Sequence, residues 1–352
     1  MRVFFGSDDL DGLWVWGEPE ERLRSHYKDT LAKCRGERRV ILVQGSTELP
    51  YKLGQDGLDM WKVQKGYSAH VGLIATTKNR ALGLVCLKPW STREDMSELW
   101  PGQVHSNRWL EGLESARMIV RRCPQTEVHQ VCDVGVGDGL HGLLRAHRDG
   151  GPSGTLLVRV TKPGAVRIRF ATSKRPVPPS RHLSRLDPIV RGFGFQYGGA
   201  GGTKSRYSRA TQVTAMAATG HLEPKRGKPT AVTAILVTED RAPKGLRPFK
   251  WLFVANGQEL DATGITQLLP SYEQRWTLAN YFEVLKSGVK TERRRIRDYY
   301  GGIRSRRDYE KCLAQDAETA VTIAELGRVA VDAPDTPAES VKGADMLRVL
   351  RA

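Results

Sequence analysis

Tyr272, Arg275 and Lys286 lie in the segment Ser271 to Gly288, SYEQRWTLANYFEVLKSG, with Ala279 and Glu283 between them. On a helix, steps of three, four and seven residues keep to one face, so these five positions share a stripe. An arginine and a lysine on one stripe can grip phosphate oxygens. A solvated face with Glu283 paired to Lys286 explains the same spacing without a ligand. Upstream, the short strand signal His129 to Cys132 ends at Asp133, a carboxylate of the kind that binds a hard cation or closes a strand-end turn.

The rest of the chain has to position these groups. Its 352 residues are 39% hydrophobic, enough for one large domain or two ordinary ones. Lysine and arginine outnumber acidic residues 55 to 39, a net charge of +16, which favours a polyanionic partner. No apolar run approaches the roughly 18 residues of a membrane span. The first residues, MRVFFGSDDLDGLWVWGEPEE, lack the basic start of a signal peptide. The five cysteines form no CxxC pair and the histidines no HExxH pair, so the reading is a cytoplasmic protein without structural zinc.

Periodicity predicts a helix over 19–35 and a buried strand over 39–43 running into Gln44-Gly45-Ser46-Thr47-Glu48. Two further strands, 66–76 and 81–87, flank the turn Thr77-Lys78-Asn79-Arg80 and read as a hairpin. A helix over 106–123, the strand ending at Asp133, a short helix over 140–147 and a strand over 155–160 follow. From 162 to about 230 the chain is rich in Arg, Lys, Pro, Gly and Ser. Strand character resumes at 231–238 and 251–255, before a helix over 261–269 and the Tyr272 helix. This order suits a mixed sheet with helices on both faces, carrying one insertion.

With these segments in place, the chain resembles the bacterial cut-and-paste transposases of the insertion-sequence-4 family, over about residues 20–330. The family's Tyr-Arg-Glu-Lys signature is matched by Tyr272, Arg275 and Lys286, with Ala279 where the catalytic glutamate belongs. Its first motif, Gln-Asp-Thr-Thr, is matched at Gln44-Gly45-Ser46-Thr47, with Gly45 in the aspartate position. Its second motif keeps Cys132-Asp133 but continues Val134-Gly135-Val136-Gly137-Asp138. Gly66 to His70, Arg108-Trp109-Leu110, Ala231 to Val237 and Phe249 to Leu252 are similar to family landmarks. Trp251 lies 21 residues before Tyr272, the family spacing for a tryptophan that stacks on an extruded base.

The resemblance implies an α/β, ribonuclease H-like mixed sheet flanked by helices. A basic, mostly β/loop insertion at about 162–230 would separate the second and third motifs. Residues 1–18 are then an extension, 19–330 the core and 331–352 a flexible tail. The family's separate end-recognition domain has no counterpart here, and its subunit-pairing helices are short or absent. The implied chemistry is DNA cutting with two metal ions held by three carboxylates. Glycine and alanine supply no ligand oxygen, so only Asp133 remains. Asp138 and Glu283 are the candidate stand-ins. Glu48, at an odd offset from Gly45, belongs to the other strand face. No cofactor is expected, or Mg²⁺ or Mn²⁺ if the site is active.

The implied DNA-facing residues are Trp251, Tyr272, Arg275 and Lys286, with Lys174, Arg175, Lys204, Arg206 and Arg209 in the insertion and Arg293, Arg294 and Arg295 after the helix. The leading reading is a cytoplasmic, nucleoid-associated DNA-binding pseudoenzyme without a membrane partner. An active nuclease using Asp133 with Asp138 or Glu283 is the alternative from the enzyme class. A fold repurposed for a non-DNA substrate is the third.

Overall fold

The computed structural model describes residues 21–49, 67–90, 108–134, 138–150, 154–197, 209–224, 228–257 and 259–283. Helix α1 (Glu21–Cys34) leads into β1 (Arg39–Leu49), β2 (Tyr67–Thr76) and β3 (Ala81–Trp90). Helix α2 (Arg108–Arg122), β4 (Glu127–Val134), α3 (Asp138–Asp149) and β5 (Thr155–Val160) follow. The inserted segment holds β6 (Ile168–Phe170), α4 (Pro179–Leu183), β7 (Val190–Tyr197) and β8 (Arg209–Leu222). Strands β9 (Thr230–Glu239) and β10 (Lys250–Asn256) precede α5 (Ala262–Glu273) and α6 (Arg275–Glu283).

Among the described residues the strands form one sheet in the order β3-β2-β1-β4-β5-β10-β9-β8-β6, with β7 also paired to β8. The pairs β1–β4 and β4–β5 are parallel and all others antiparallel. The expected mixed sheet flanked by helices is therefore present. The basic segment contributes strands to that sheet rather than standing apart from it, because β8 runs antiparallel to β9 along its length.

Side-chain alternation divides the sheet cleanly. Ile41 and Val43 of β1, Val131 of β4, Leu157 of β5 and Phe253 of β10 pack with Leu268, Leu269, Tyr272 and Leu278 of α5 and α6. Their even-numbered neighbours face the other way. Val40 and Leu42 join Ala116 and Ile119 of α2, while Cys132 and Val134 join Leu140 and Leu143 of α3. Central strands buried on both faces need continuous apolar runs, which RVILV and TLLVRV supply. No helix among the described residues is long and apolar enough to cross a membrane.

Local chemistry fixes the connections. In the β2–β3 turn Asn79 takes a positive φ of 64°, and Thr76 Oγ1 accepts from the Lys78 and Arg80 amides at 3.3 Å. The predicted 271–288 helix is different in one respect: α5 ends at Glu273 and α6 starts at Arg275. Buried Gln274 carries the break. Its amide donates to the Ser271 carbonyl, its own carbonyl accepts from Thr277, and its side-chain amide donates to Asn79 of the β2–β3 turn. These tight i-to-i+3 bonds and the side-chain tether replace a continuous ladder. Lys286 lies outside the described residues, so the stripe is described only as far as position 283.

Gly154 opens β5 at φ +81°, and a Cβ there would run into the Val128 carbonyl oxygen of β4. Its own carbonyl accepts from His147 Nε2 of α3 at 3.0 Å. Gly154→Ala is expected to cost about 1–3 kcal/mol from backbone strain alone, and more if β5 shifts. Chemical denaturation of the folded variant measures it.

Candidate functional site around Asp133

The last matched pair of the parallel β1–β4 ladder is Gln44 with Cys132, so Gly45 and Asp133 are the next neighbours, where that parallel pairing stops and β1 continues alongside β2 to Leu49. Both are odd-numbered positions on the face covered by α5 and α6. Position 279 sits one helical turn beyond Arg275 on α6, beside Leu278. Gly45 and Asp133 are thus neighbours across the β1–β4 pair, and α6, which carries Ala279, packs Leu278 against the first and pairs Arg275 with the second.

Asp133 is enclosed by cations and a hydroxyl. Tyr272 Oη donates to Asp133 Oδ1 at 2.7 Å. Arg159 Nη2 donates to Oδ2 at 3.0 Å, and Arg275 Nε pairs with the same oxygen. Arg159 is the register partner of Asp133 on β5. Its guanidinium lies 5.4 Å from the Trp251 ring centroid and 5.8 Å from that of Tyr272. Burial, and next the charge of Asp133, push the Tyr272 hydroxyl well above its ordinary range, so it stays protonated and donates. A charge-assisted bond from a neutral hydroxyl to a carboxylate is worth about 1.5–3 kcal/mol.

A carboxylate at position 45 would have to displace Leu278. A Cβ placed on it would stand 2.8 Å from Leu278 Cδ2 and 3.4 Å from Phe282 Cε2. Leu278 is buried, with apolar side chains of the sheet and of both helices around it. The space beside Gly45 is filled by an apolar side chain of α6, the helix that also carries Ala279.

Trp251 is half-buried. It stacks on Phe249 at 4.4 Å and 28°, and meets Phe195, Phe253 and Tyr272 edge-on at 5.4 to 6.1 Å. The aromatic cluster extends from the inserted strand β7 to α5, where Glu273 accepts from the Gln196 amide at 2.9 Å. Of the residues expected to face DNA, Trp251, Tyr272 and Arg275 come together around Asp133. Lys174 and Arg175 lie on the inserted segment between β6 and α4. Arg209 begins β8, but its side chain lies outside the described residues, as do Lys204, Arg206, Lys286, Arg293, Arg294 and Arg295, and the side chains of Asp138, Glu48 and Glu283.

Sequence reading missed Arg159. The signal was present: one charged residue in the apolar strand TLLVRV, two positions from Leu157 on the same face. It also missed a relay behind the site. Ser271 Oγ lies 2.7 Å from His129 Nδ1, and His129 Nε2 lies 2.8 Å from Glu127 Oε1. Glu127 in turn pairs with Arg39 at 2.6 Å. Serine, histidine and glutamate in line have the form of a nucleophilic triad. Ser271 and His129 are only 2% and 3% exposed, so no substrate reaches the hydroxyl. The relay instead fastens α5 to β4, one residue from Tyr272. The thiols are equally closed: Cys34, Cys86, Cys123 and Cys132 are buried and in no disulfide, and burial raises the Cys132 thiol well above its ordinary value.

The described side chains around Asp133 do not fit a divalent cation. Both Asp133 oxygens are engaged, two guanidiniums place positive charge against them, and Gly45 and Ala279 offer no oxygen. Among the described residues no three His, Cys, Asp or Glu side chains gather as a metal site. No family model matches the chain, and no curated protein matches it.

Tyr272→Phe is expected to lower stability by about 1–2 kcal/mol by leaving one Asp133 oxygen without that donor, measured by urea denaturation. Burial, its largest cause, depresses the His129 pKa below the ordinary 6.5, and the same holds for His147. The unfolded chain therefore binds protons first as pH falls below about 6.5, and stability falls with it until the folded-state values are passed. The denaturation midpoint should drop between pH 7 and pH 5.5, and His129→Gln should flatten part of that slope.

Proposed function

We propose that this chain is a transposase-like DNA-binding protein of the insertion-sequence-4 lineage, with a ribonuclease H-like core that no longer cuts DNA. The observation that carries the reading is the arrangement at Asp133. Of the positions matched to the family's carboxylates, Gly45 and Asp133 lie on adjacent strands and Ala279 lies on the helix packed over them; two lack a carboxylate, and the Asp133 carboxylate is neutralised by Arg159 and Arg275. The mixed sheet with helices on both faces, and strands inserted between the second and third motifs, supports the same reading. So does the net charge of +16, which suits a polyanion.

The loss of cutting follows from the ligand set. Two-metal catalysis needs oxygen ligands that fix both ions against the attacking and leaving oxygens. Here the retained carboxylate is committed to a tyrosine and two arginines, and Leu278 occupies the space beside Gly45. What remains is a cationic, aromatic-edged surface suited to a phosphate backbone. The site would act from the cytoplasm on nucleoid DNA.

The chain is expected to bind duplex DNA with an affinity that falls steeply as salt rises. It is expected to leave supercoiled plasmid intact in Mg²⁺ or Mn²⁺. Nicking that disappears in Asp133→Ala would overturn the inactive reading, and no duplex binding at low salt would overturn the DNA reading.

A further inference from the structure

Among the described residues around Asp133, positive charge exceeds negative: one carboxylate faces two guanidiniums. Each guanidinium bonds it through a single nitrogen, Arg159 through Nη2 and Arg275 through Nε, so N–H donors remain on both. Arg159 Nε is itself buried without a hydrogen-bond partner. The cluster is not sealed, since the Arg275 and Arg159 side chains are 33% and 22% exposed and that of Asp133 18%. Helix α6 begins at Arg275, so its positive end lies beside the same carboxylate. The two aromatic rings and Asp133 hold the Arg159 guanidinium in place before any ligand arrives.

We propose that Arg159 and Arg275 form a metal-independent phosphate site, in which Asp133 and Tyr272 are positioning residues. A phosphodiester oxygen would take the free guanidinium edges, where planar forked donors match phosphate geometry. Arg159 then supplies at this sheet end the positive charge that a cation would otherwise bring, and it does so from a strand position fixed by the β4–β5 register. The idea deepens the DNA reading and rests on it for the source of the phosphate. The site itself requires only the phosphate group.

The test is calorimetric titration in EDTA with two probes, inorganic phosphate and a short DNA duplex, on the full chain and two variants. Arg159→Gln is expected to weaken both by about tenfold, the scale of one lost charge-assisted contact. Asp133→Asn, which keeps an amide oxygen to accept from Tyr272 and the arginines but removes the competing negative charge, is expected to tighten both several-fold. A variant that had merely lost structure would not bind more tightly, so the second result separates a binding site from a stability effect. Loss of wild-type phosphate binding in EDTA, or variants that leave both affinities unchanged, would overturn the proposal. Duplex binding that resists both substitutions sinks the site and leaves the DNA reading standing. Phosphate binding with the expected responses, but no duplex binding, keeps the site and sinks the DNA reading.

Discussion

The Asp133 carboxylate is where four elements of the structure are tied together. It ends β4, receives Arg159 from β5, Tyr272 from the last turn of α5 and Arg275 from the first residue of α6. Removing it would leave two guanidiniums facing each other at a sheet end with no anion between them, which costs more than the loss of any single bond. The break at Gln274 lies between Tyr272 and Arg275, the two residues that reach this carboxylate, and its tightened turn is tethered to Asn79.

Behind that tie, the sheet works through parity. Odd positions of β1, β4, β5 and β10 face α5 and α6, so Gly45, His129, Asp133, Arg159, Trp251 and Phe253 share one side. The inserted strands lengthen the sheet and brace this side: Phe195 of β7 meets Trp251, and the Gln196 amide is held by Glu273. A segment that looks by composition like a basic loop thus supports the helix that carries Tyr272.

Much of this was legible in the residues. The apolar runs RVILV, AVTAILVT and WLFVA are strands, the Thr77–Arg80 turn closes a hairpin, and helices occupy 108–122, 138–149 and 262–273 close to their expected places. Amphipathic period and turn chemistry are local, so they can be read locally. The pairing of Asp133 with Arg159 is not local, because it depends on which strand lies beside β4 and in what register. The split of the Tyr272 helix depended on a buried glutamine finding an asparagine 195 positions away. The Ser271–His129–Glu127 relay was hidden for the same reason, since its members become neighbours only when α5 docks. Trp251, which the family spacing makes a stacking platform, packs among Phe195, Phe249, Phe253 and Tyr272, neighbours that its strand pattern alone does not name.

The packing of Leu278 against Gly45 has a consequence for how this sequence can change. A larger side chain at position 45 needs Leu278 to move first, and a smaller one at 278 opens a void unless position 45 fills it. The two sites are therefore coupled: each substitution alone strains or empties the contact, and the pair together costs less than the sum of the two. Random single substitutions would tend to preserve the glycine and the leucine together, so across diverging copies of this chain they should be kept or exchanged as a unit.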